Sequence, residues 1–270
     1  MQIRLTVPPV AELVAQPPWR TVDFISDLHL SREDPATFAV WQTYLQTTPA
    51  DAVFILGDLF EVWVGDDAAD SVTADIAPPF DTHFETHCAR LLQQAGSRLA
   101  LFFMHGNRDF LVGPALMNQV GATLLSDPTV LTFADQRWLL SHGDALCLDD
   151  TDYQQFRRLV RSPEWQRAFL ARPLAERQAL AKDMRRQSEA RKTSNRDYGD
   201  VDDDAARQWL TAANAPVLIH GHTHKPALHD LGNNLSRIVL SDWDALAKLP
   251  RAEVLRLDAS GLSRIALVPA

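Results

Sequence analysis

The stretch that decides the fold reads TVDFISDLHL and spans residues 21–30. Its first six residues form an apolar run of buried-strand length, and the polar residues Asp27 and His29 follow directly. Four later stretches repeat this arrangement: AVFILGD (52–58), LALFFMHGN (99–107), WLLSHGD (138–144) and VLIHGHTH (217–224). Since an α/β sheet places its ligand crevice at the carboxyl ends of its strands, the pattern predicts one shared polar site.

Helical patterns at Ala36–Leu45 and Thr82–Gln94 lie between the first three of these runs. Strand-like runs return near the end of the chain, at Arg237–Leu240, Glu253–Leu257 and Ser263–Val268. Alternation of strands with helices is typical of a layered fold in which helices cover a largely parallel sheet. The sequence therefore predicts the α/β class, as a layered α/β sandwich.

Residues 151–214 differ from the rest, because they contain no strand-like run and carry apolar residues at helical spacing. Twelve Lys and Arg against four Asp and Glu lie between Arg157 and Arg196, a local charge of +8. We interpret this region as a helical lid inserted into one catalytic domain that spans residues 20–270. Residues 1–19 are proline-interrupted, and we interpret them as an N-terminal extension.

The composition excludes several classes of protein. A formal net charge of −9 argues against a general nucleic-acid binder, which usually has an overall basic balance. Two cysteines, Cys88 and Cys147, are too few for a disulfide framework and indicate a reducing cytosol. The densest apolar run, Leu99–Met104, is far shorter than the roughly 18 residues that span a bilayer, so we expect no transmembrane segment.

The polar residues after the strands form a set of candidate metal ligands. They are Asp27, His29, Asp58, Asn107, His142, His222 and His224. Carboxylate, amide and imidazole groups without a thiolate suit manganese, iron or zinc, and manganese is our first choice. Within D-x-H and H-x-H, an extended backbone would point both side chains the same way. Two cations bridged by one carboxylate would supply the chemistry of phosphoester hydrolysis.

The order of the motifs D-x-H, G-D, G-N-R-D, H-G-D and G-H-T-H resembles that of calcineurin-like metallophosphoesterases. The resemblance implies that Asp27, His29, Asp58 and His224 hold one metal ion. It implies that Asp58, Asn107, His142 and His222 hold the other, which makes Asp58 the bridge. The same four residues of the second set are the catalytic residues that the resemblance implies.

The wider wording, including GDLFEVWVGDD and IHGHTHKPALH, resembles the branch of that family that acts in lipid A biosynthesis. This implies a lipid-linked nucleotide diphosphate as substrate, attacked by water at the α-phosphorus to give UMP and a diacylated glucosamine 1-phosphate. The implied location is cytoplasmic and peripheral, on the inner face of the inner membrane, with no nucleic acid or protein partner. The implied substrate contacts are Asn107, Arg108, Asp150, Ser188, Lys192, Asn195 and His222.

Two alternatives stay open. The chain could be another member of the family, such as a cyclic nucleotide phosphodiesterase or a nuclease, or a noncatalytic scaffold with the same fold. The basic insertion is either a solvated helical face or a lid that meets acyl chains and anionic headgroups. Its apolar residues are Leu159, Val160, Trp165, Phe169 and Leu170.

Overall fold

A computed structural model of the protein describes residues 7–73, 83–194 and 199–269, with side chains at 7–69, 83–186 and 199–269. Within these residues, strands form two six-stranded sheets. In spatial order, the first sheet contains β1 (Ala11–Val14), β6 (Thr129–Phe133), β7 (Gln136–Leu140), β8 (Val217–His220), β10 (Leu235–Val239) and β9 (Ala227–Gly232). The second contains β12 (Gly261–Ala266), β11 (Glu253–Asp258), β2 (Thr21–Ile25), β3 (Ala52–Leu56), β4 (Ala100–Met104) and β5 (Ala122–Leu125).

Alternating side chains of the strands build separate core layers. Phe54 of β3 and Phe102 of β4 point between the two sheets, where their rings stack at 4.6 Å. Their neighbours Ile55 and Phe103 belong to a second layer on the outer face of the same sheet. Helices that contribute to that outer layer include α1 (Pro35–Thr47), α2 (Phe84–Gly96) and α3 (Pro114–Val120). Because successive residues of a strand face opposite sides, continuous apolar runs are what such a doubly covered sheet requires.

Four helices lie between β7 and β8: α4 (Thr151–Val160), α5 (Pro163–Leu170), α6 (Leu174–Ser194) and α7 (Asp203–Ala213). The last of them, α7, does not belong to a lid, as the sequence analysis had predicted that it would. Trp209 and Leu210 of α7 are buried in one cluster with Leu139 and Leu218, so α7 covers the outer face of the first sheet. The layered sandwich is thereby confirmed. The helical insertion consists of α4–α6 alone.

The N-terminal segment also differs from the predicted extension. Ala11–Val14 pairs in parallel with Thr129–Thr132 as the edge strand β1. Trp19 meets Phe54 and Phe102 edge to face, at 6.5 and 5.7 Å between ring centroids. Four residues between prolines give little sequence signal, and only the partner strand makes them a strand.

The structure divides the apolar residues of the insertion that the sequence had grouped together. Phe169 is buried in the helix-covered core, and Trp165 stacks on it at 4.8 Å. By contrast, Leu159 and Leu170 keep 57% and 42% of their surface exposed. Among the described helices, none is long and apolar enough to cross a membrane.

Candidate metal centre

The seven predicted ligands lie together at one end of the sandwich. Strands β2, β3 and β4 of one sheet and β7 and β8 of the other end there, and each ligand follows one of these strands. Potential ligand atoms of Asp27, His29 and His224 lie within 4.8 Å of one another. Asp27, Asp58 and His142 form a second group by the same measure. The structure therefore brings the predicted ligands together at the strand ends.

The backbone at this site is strained. Five of the candidate ligands have a left-handed backbone conformation: Asp27 (φ 54°), His29 (φ 48°), Asp58 (φ 53°), His222 (φ 69°) and His224 (φ 53°). Such a conformation costs a side-chain-bearing residue about 1 kcal/mol or more, and it concentrates at functional sites. The predicted extended D-x-H segment is wrong, because β2 ends at Ile25 and left-handed turns bring the two side chains together.

Two glycines let the ligand loops approach one another closely. A Cβ atom at Gly106 would collide with the carboxylate of Asp58, and one at Gly221 would collide with Asp27 and Ser26. Glycine is thus required where one ligand-bearing loop touches the next. Ser26 Oγ and the amide of His222 donate to Asp27 Oδ2, at 2.6 and 2.9 Å.

The first group faces a common point. His29 Nε2 lies 3.2 Å from His224 Nε2, which lies 3.3 Å from Asp27 Oδ1. Asp27 Oδ1 is buried and accepts no hydrogen bond. Ligand atoms that share one cation with bonds of about 2.1 Å are about 3 Å apart. A buried, unsatisfied carboxylate oxygen among imidazole nitrogens therefore fits a bound cation.

Asn107 places an amide oxygen between the histidines on the other side of the centre. Asn107 Oδ1 lies 2.8 Å from His222 Nδ1 and 3.1 Å from His142 Nε2, which is 3.8 Å from Asp58 Oδ2. His142 Nδ1 lies 2.9 Å from the carbonyl oxygen of Leu56. A proton on Nδ1 donated to that carbonyl leaves the Nε2 lone pair directed at the site, as metal-binding histidines require.

Burial and charge separate the protonation states of these groups. Burial alone would raise the pKa of Asp27, but contact with His224 and the charge of His142 hold it well below its usual range. Burial alone would lower the pKa of His142, yet Asp58 and Asp27 raise it to about 9. Burial and the charge of His142 lower the pKa of His222 to about 3. A cation that binds here must displace a proton from His142 but not from His222.

Asp109 is a buried residue beside the candidate ligands, and the sequence analysis gave it no role. Its buried carboxylate accepts hydrogen bonds from the amides of Gly106 (2.9 Å) and Asp58 (3.2 Å), and from those of Leu59 (2.8 Å) and Phe60 (3.4 Å). Burial and the charge of Asp58 raise the pKa of Asp109 to about 7. The carboxylate joins the loop after β3 to the loop after β4. In the sequence, Asp109 could have been found as the last residue of the G-N-R-D motif.

Asp144 connects the metal centre to α4. It is fully buried and accepts hydrogen bonds from Tyr153 and from Arg157 at 2.8 Å, while Arg161 lies 3.4 Å away. Burial alone would raise its pKa, but Arg157 and Arg161 hold the pKa of Asp144 well below the usual range. The ring of Tyr153 stacks on His222 at 5.9 Å. In the sequence, Asp144 could have been found as the last residue of the H-G-D motif.

The predicted substrate contacts outside the ligand set have different positions. The amide of Arg108 donates to Asp58 Oδ1 at 2.8 Å, and its guanidinium is largely buried beside the metal centre. Asp150 caps α4 by accepting from the amide of Tyr153 at 2.9 Å. Ser188 and Lys192 lie on α6, but their side chains are outside the described residues, as is all of Asn195.

Comparisons with known proteins match the chain along most of its length. The calcineurin-like phosphoesterase family matches residues 20–226. The UDP-2,3-diacylglucosamine hydrolase of Chromobacterium violaceum is 43% identical over 255 residues, covering 91% of this chain and 98% of the relative. The proteins of the same name from Aromatoleum aromaticum and Ralstonia nicotianae are 43% and 44% identical, covering 88% and 87% of this chain and 93% and 88% of the relatives.

Proposed function

The chain belongs to the calcineurin-like phosphoesterase family, and we propose that it hydrolyses the diphosphate of UDP-2,3-diacylglucosamine. Water attacks the α-phosphorus, the bond from that phosphorus to the bridging oxygen breaks, and the products are UMP and 2,3-diacylglucosamine 1-phosphate. The observation that carries the proposal is a complete cluster of hard and borderline ligands in a chain 43% identical to relatives named for this hydrolysis. The complete cluster also argues against a noncatalytic scaffold.

The family and the ligand cluster imply divalent metal ions. We assign two, with Mn²⁺ as the first choice because no thiolate is present among the ligands. Asp27, His29, Asp58 and His224 would hold one ion, and Asp58, Asn107, His142 and His222 would hold the other. When bound, such ions neutralise phosphate oxygens and make water a nucleophile near neutral pH.

The protein's own residues then bind and orient the diphosphate. Arg108 follows Asn107 directly, and its planar guanidinium suits a phosphate group. The buried Asp109 keeps the loops of Asp58 and Asn107 in register, so that the ligands are fixed before the substrate arrives. His222 is held between Asn107 and the ring of Tyr153 and offers a neutral imidazole to the substrate side.

The lipid half of the substrate requires a surface that meets acyl chains. Among the described side chains of the helical insertion, the exposed large apolar ones are Phe156, Leu159 and Leu170. Leu159 and Leu170 lie in the stretch whose local charge is +8, and Phe156 directly precedes it. Basic residues near an anionic membrane surface each contribute about 1 kcal/mol. We therefore assign this surface to peripheral contact with the inner face of the cytoplasmic membrane, and Asp150, Ser188, Lys192 and Asn195 to the substrate.

The decisive experiment incubates the purified protein and Mn²⁺ with UDP-2,3-diacylglucosamine and measures UMP release. Chelator should abolish the release, and added Mn²⁺ should restore it. A generic phosphodiester, tested in parallel, reports whether the metal centre is active. Turnover of the generic diester without UMP release would overturn the substrate assignment and leave another phosphoesterase of the family as the alternative.

A further inference from the structure

Glu61 lies between a candidate metal ligand and the helical insertion, and no motif assigned it a role. Its Oε2 atom is 3.0 Å from His29 Nδ1. Its Oε1 atom is 3.6 Å from Arg108 Nη1 and forms an ion pair with Arg185 of α6. The side chain is only 12% exposed, so each carboxylate oxygen is committed to a partner of its own.

We propose that Glu61 is a positioning residue that orients the metal ligand His29 with one oxygen and docks α6 on the metal centre with the other. The proposal rests on the proposed function, since it assigns His29 to a cation. It adds a residue that serves both the metal centre and the attachment of the helical insertion, through a different carboxylate oxygen for each.

The contact with His29 places a carboxylate on one ring nitrogen and the ligand cluster on the other. His29 Nε2 points to the cluster, where it lies 3.2 Å from His224 Nε2, and Nδ1 points away to Glu61. The negative charge of a carboxylate 3.0 Å from Nδ1 favours a proton on that nitrogen, which leaves the Nε2 lone pair for the cation.

Arg177 and Arg185 of α6 form ion pairs with carboxylates of the core, beside the apolar contacts of Leu174, Leu180 and Ala181. Arg177 is 2% exposed and bonds to Asp67 and to the carbonyl of Val64. Residues eight apart lie near one helix face, so both arginines project towards the sandwich. Arg177 reaches a site away from the ligands, whereas Arg185 reaches the carboxylate that holds His29. Of these two ion pairs, the one made by Arg185 connects α6 to the metal centre.

This difference supplies a matched set of variants. Glu61→Gln removes the charge from His29, Arg108 and α6 together. Arg185→Met removes the ion pair of α6 with Glu61 and leaves Glu61 beside His29. Asp67→Asn weakens the other attachment of α6 without contact with any ligand, and it serves as the control. Glu61→Asp keeps the charge on a shorter side chain and tests for rescue.

Two readouts need no lipid substrate: Mn²⁺ affinity by titration calorimetry, and hydrogen exchange of the α6 amides. Glu61→Gln should weaken Mn²⁺ binding about 10–100-fold, as loss of an outer partner of a ligating histidine does, and should speed exchange in α6. Glu61→Asp should recover part of the affinity. Arg185→Met and Asp67→Asn should speed exchange in α6 and leave Mn²⁺ affinity unchanged.

Two results would overturn the proposal. One is wild-type Mn²⁺ affinity in Glu61→Gln. The other is an equal loss of affinity in Asp67→Asn, which would mean that any loosening of α6 disturbs the site. Both differ from failure of the proposed function, in which UMP is not released while metal binding and exchange still follow the pattern above.

Discussion

The metal centre and the helical insertion are built in opposite ways. At the metal centre, Asp27, Asp58 and His142 are at most 1% exposed, and loop amides and carbonyls hold them. The insertion carries Leu159 and Leu170 largely exposed. Ion pairs of its arginines with carboxylates of the core contribute to its attachment. The comparison indicates that the candidate metal ligands lie in a preorganised part of the molecule, whereas the insertion presents apolar side chains on its outer side.

The same comparison changes the meaning of the basic stretch. The sequence shows a local charge of +8, but much of it faces the protein. Arg157 and Arg161 surround Asp144, Arg177 pairs with Asp67, and Arg185 pairs with Glu61. Those four arginines serve attachment of the insertion, so the charge available to a membrane is smaller than the sequence count.

Loss of Asp58 should give the largest effect, because it removes a ligand from the preorganised part. Asp58→Ala should lower turnover about 10³-fold or more and release most of the bound metal. Metal analysis of the purified variant and Mn²⁺-dependent hydrolysis of a generic phosphodiester would measure this. A variant that keeps two equivalents of Mn²⁺ and near-normal turnover would show that the site assignment is wrong.

The insertion should respond to truncation according to burial. Phe169→Ala should lower the free energy of unfolding by about 3–5 kcal/mol, because it opens a cavity where α5 meets the core. Leu159→Ala, on the exposed side of α4, should cost less than about 1 kcal/mol. Urea unfolding in chelator compares the two. Equal losses of unfolding free energy in the two variants would mean that Leu159 and Phe169 are buried to the same extent in solution.

His142 should make the metal-free protein sensitive to pH. Its pKa in the folded protein is about 9, above the usual value of 6.5. Its stabilising contribution is therefore fully present below pH 6.5 and is lost as the pH rises through about 9. The full shift corresponds to on the order of 3 kcal/mol.

Free energies of unfolding in chelator at pH 6 and pH 9 would test this for the wild-type protein and His142→Ala. The wild-type protein should lose more stability than the variant between the two pH values. Parallel losses would show that the carboxylates around His142 do not hold its proton in solution. The paired measurement cancels titrations that both proteins share.

The sequence was sufficient for the layered sandwich and for the gathering of the ligands. Apolar runs such as TVDFIS and AVFIL are local signals of buried strands, and parallel strands deliver their carboxyl ends to one edge. It failed for Ala11–Val14, whose strand exists only because Thr129–Thr132 is there to pair with it. It also assigned α7 to the lid, since helical spacing reveals an apolar face but not what that face covers.

What the sequence determined by itself is the chemical identity of the site: which oxygens and nitrogens follow each strand, and hence which cations and reaction suit them. Tertiary structure alone decided how those atoms are held. Asp27 and His29 adopt left-handed turns. Asp109 hydrogen-bonds to two loops, and Glu61 lies between His29 and Arg185, so both carboxylates join residues far apart in the chain. Residue type and spacing are local properties, whereas burial, charge pairing and backbone strain arise only when distant segments meet.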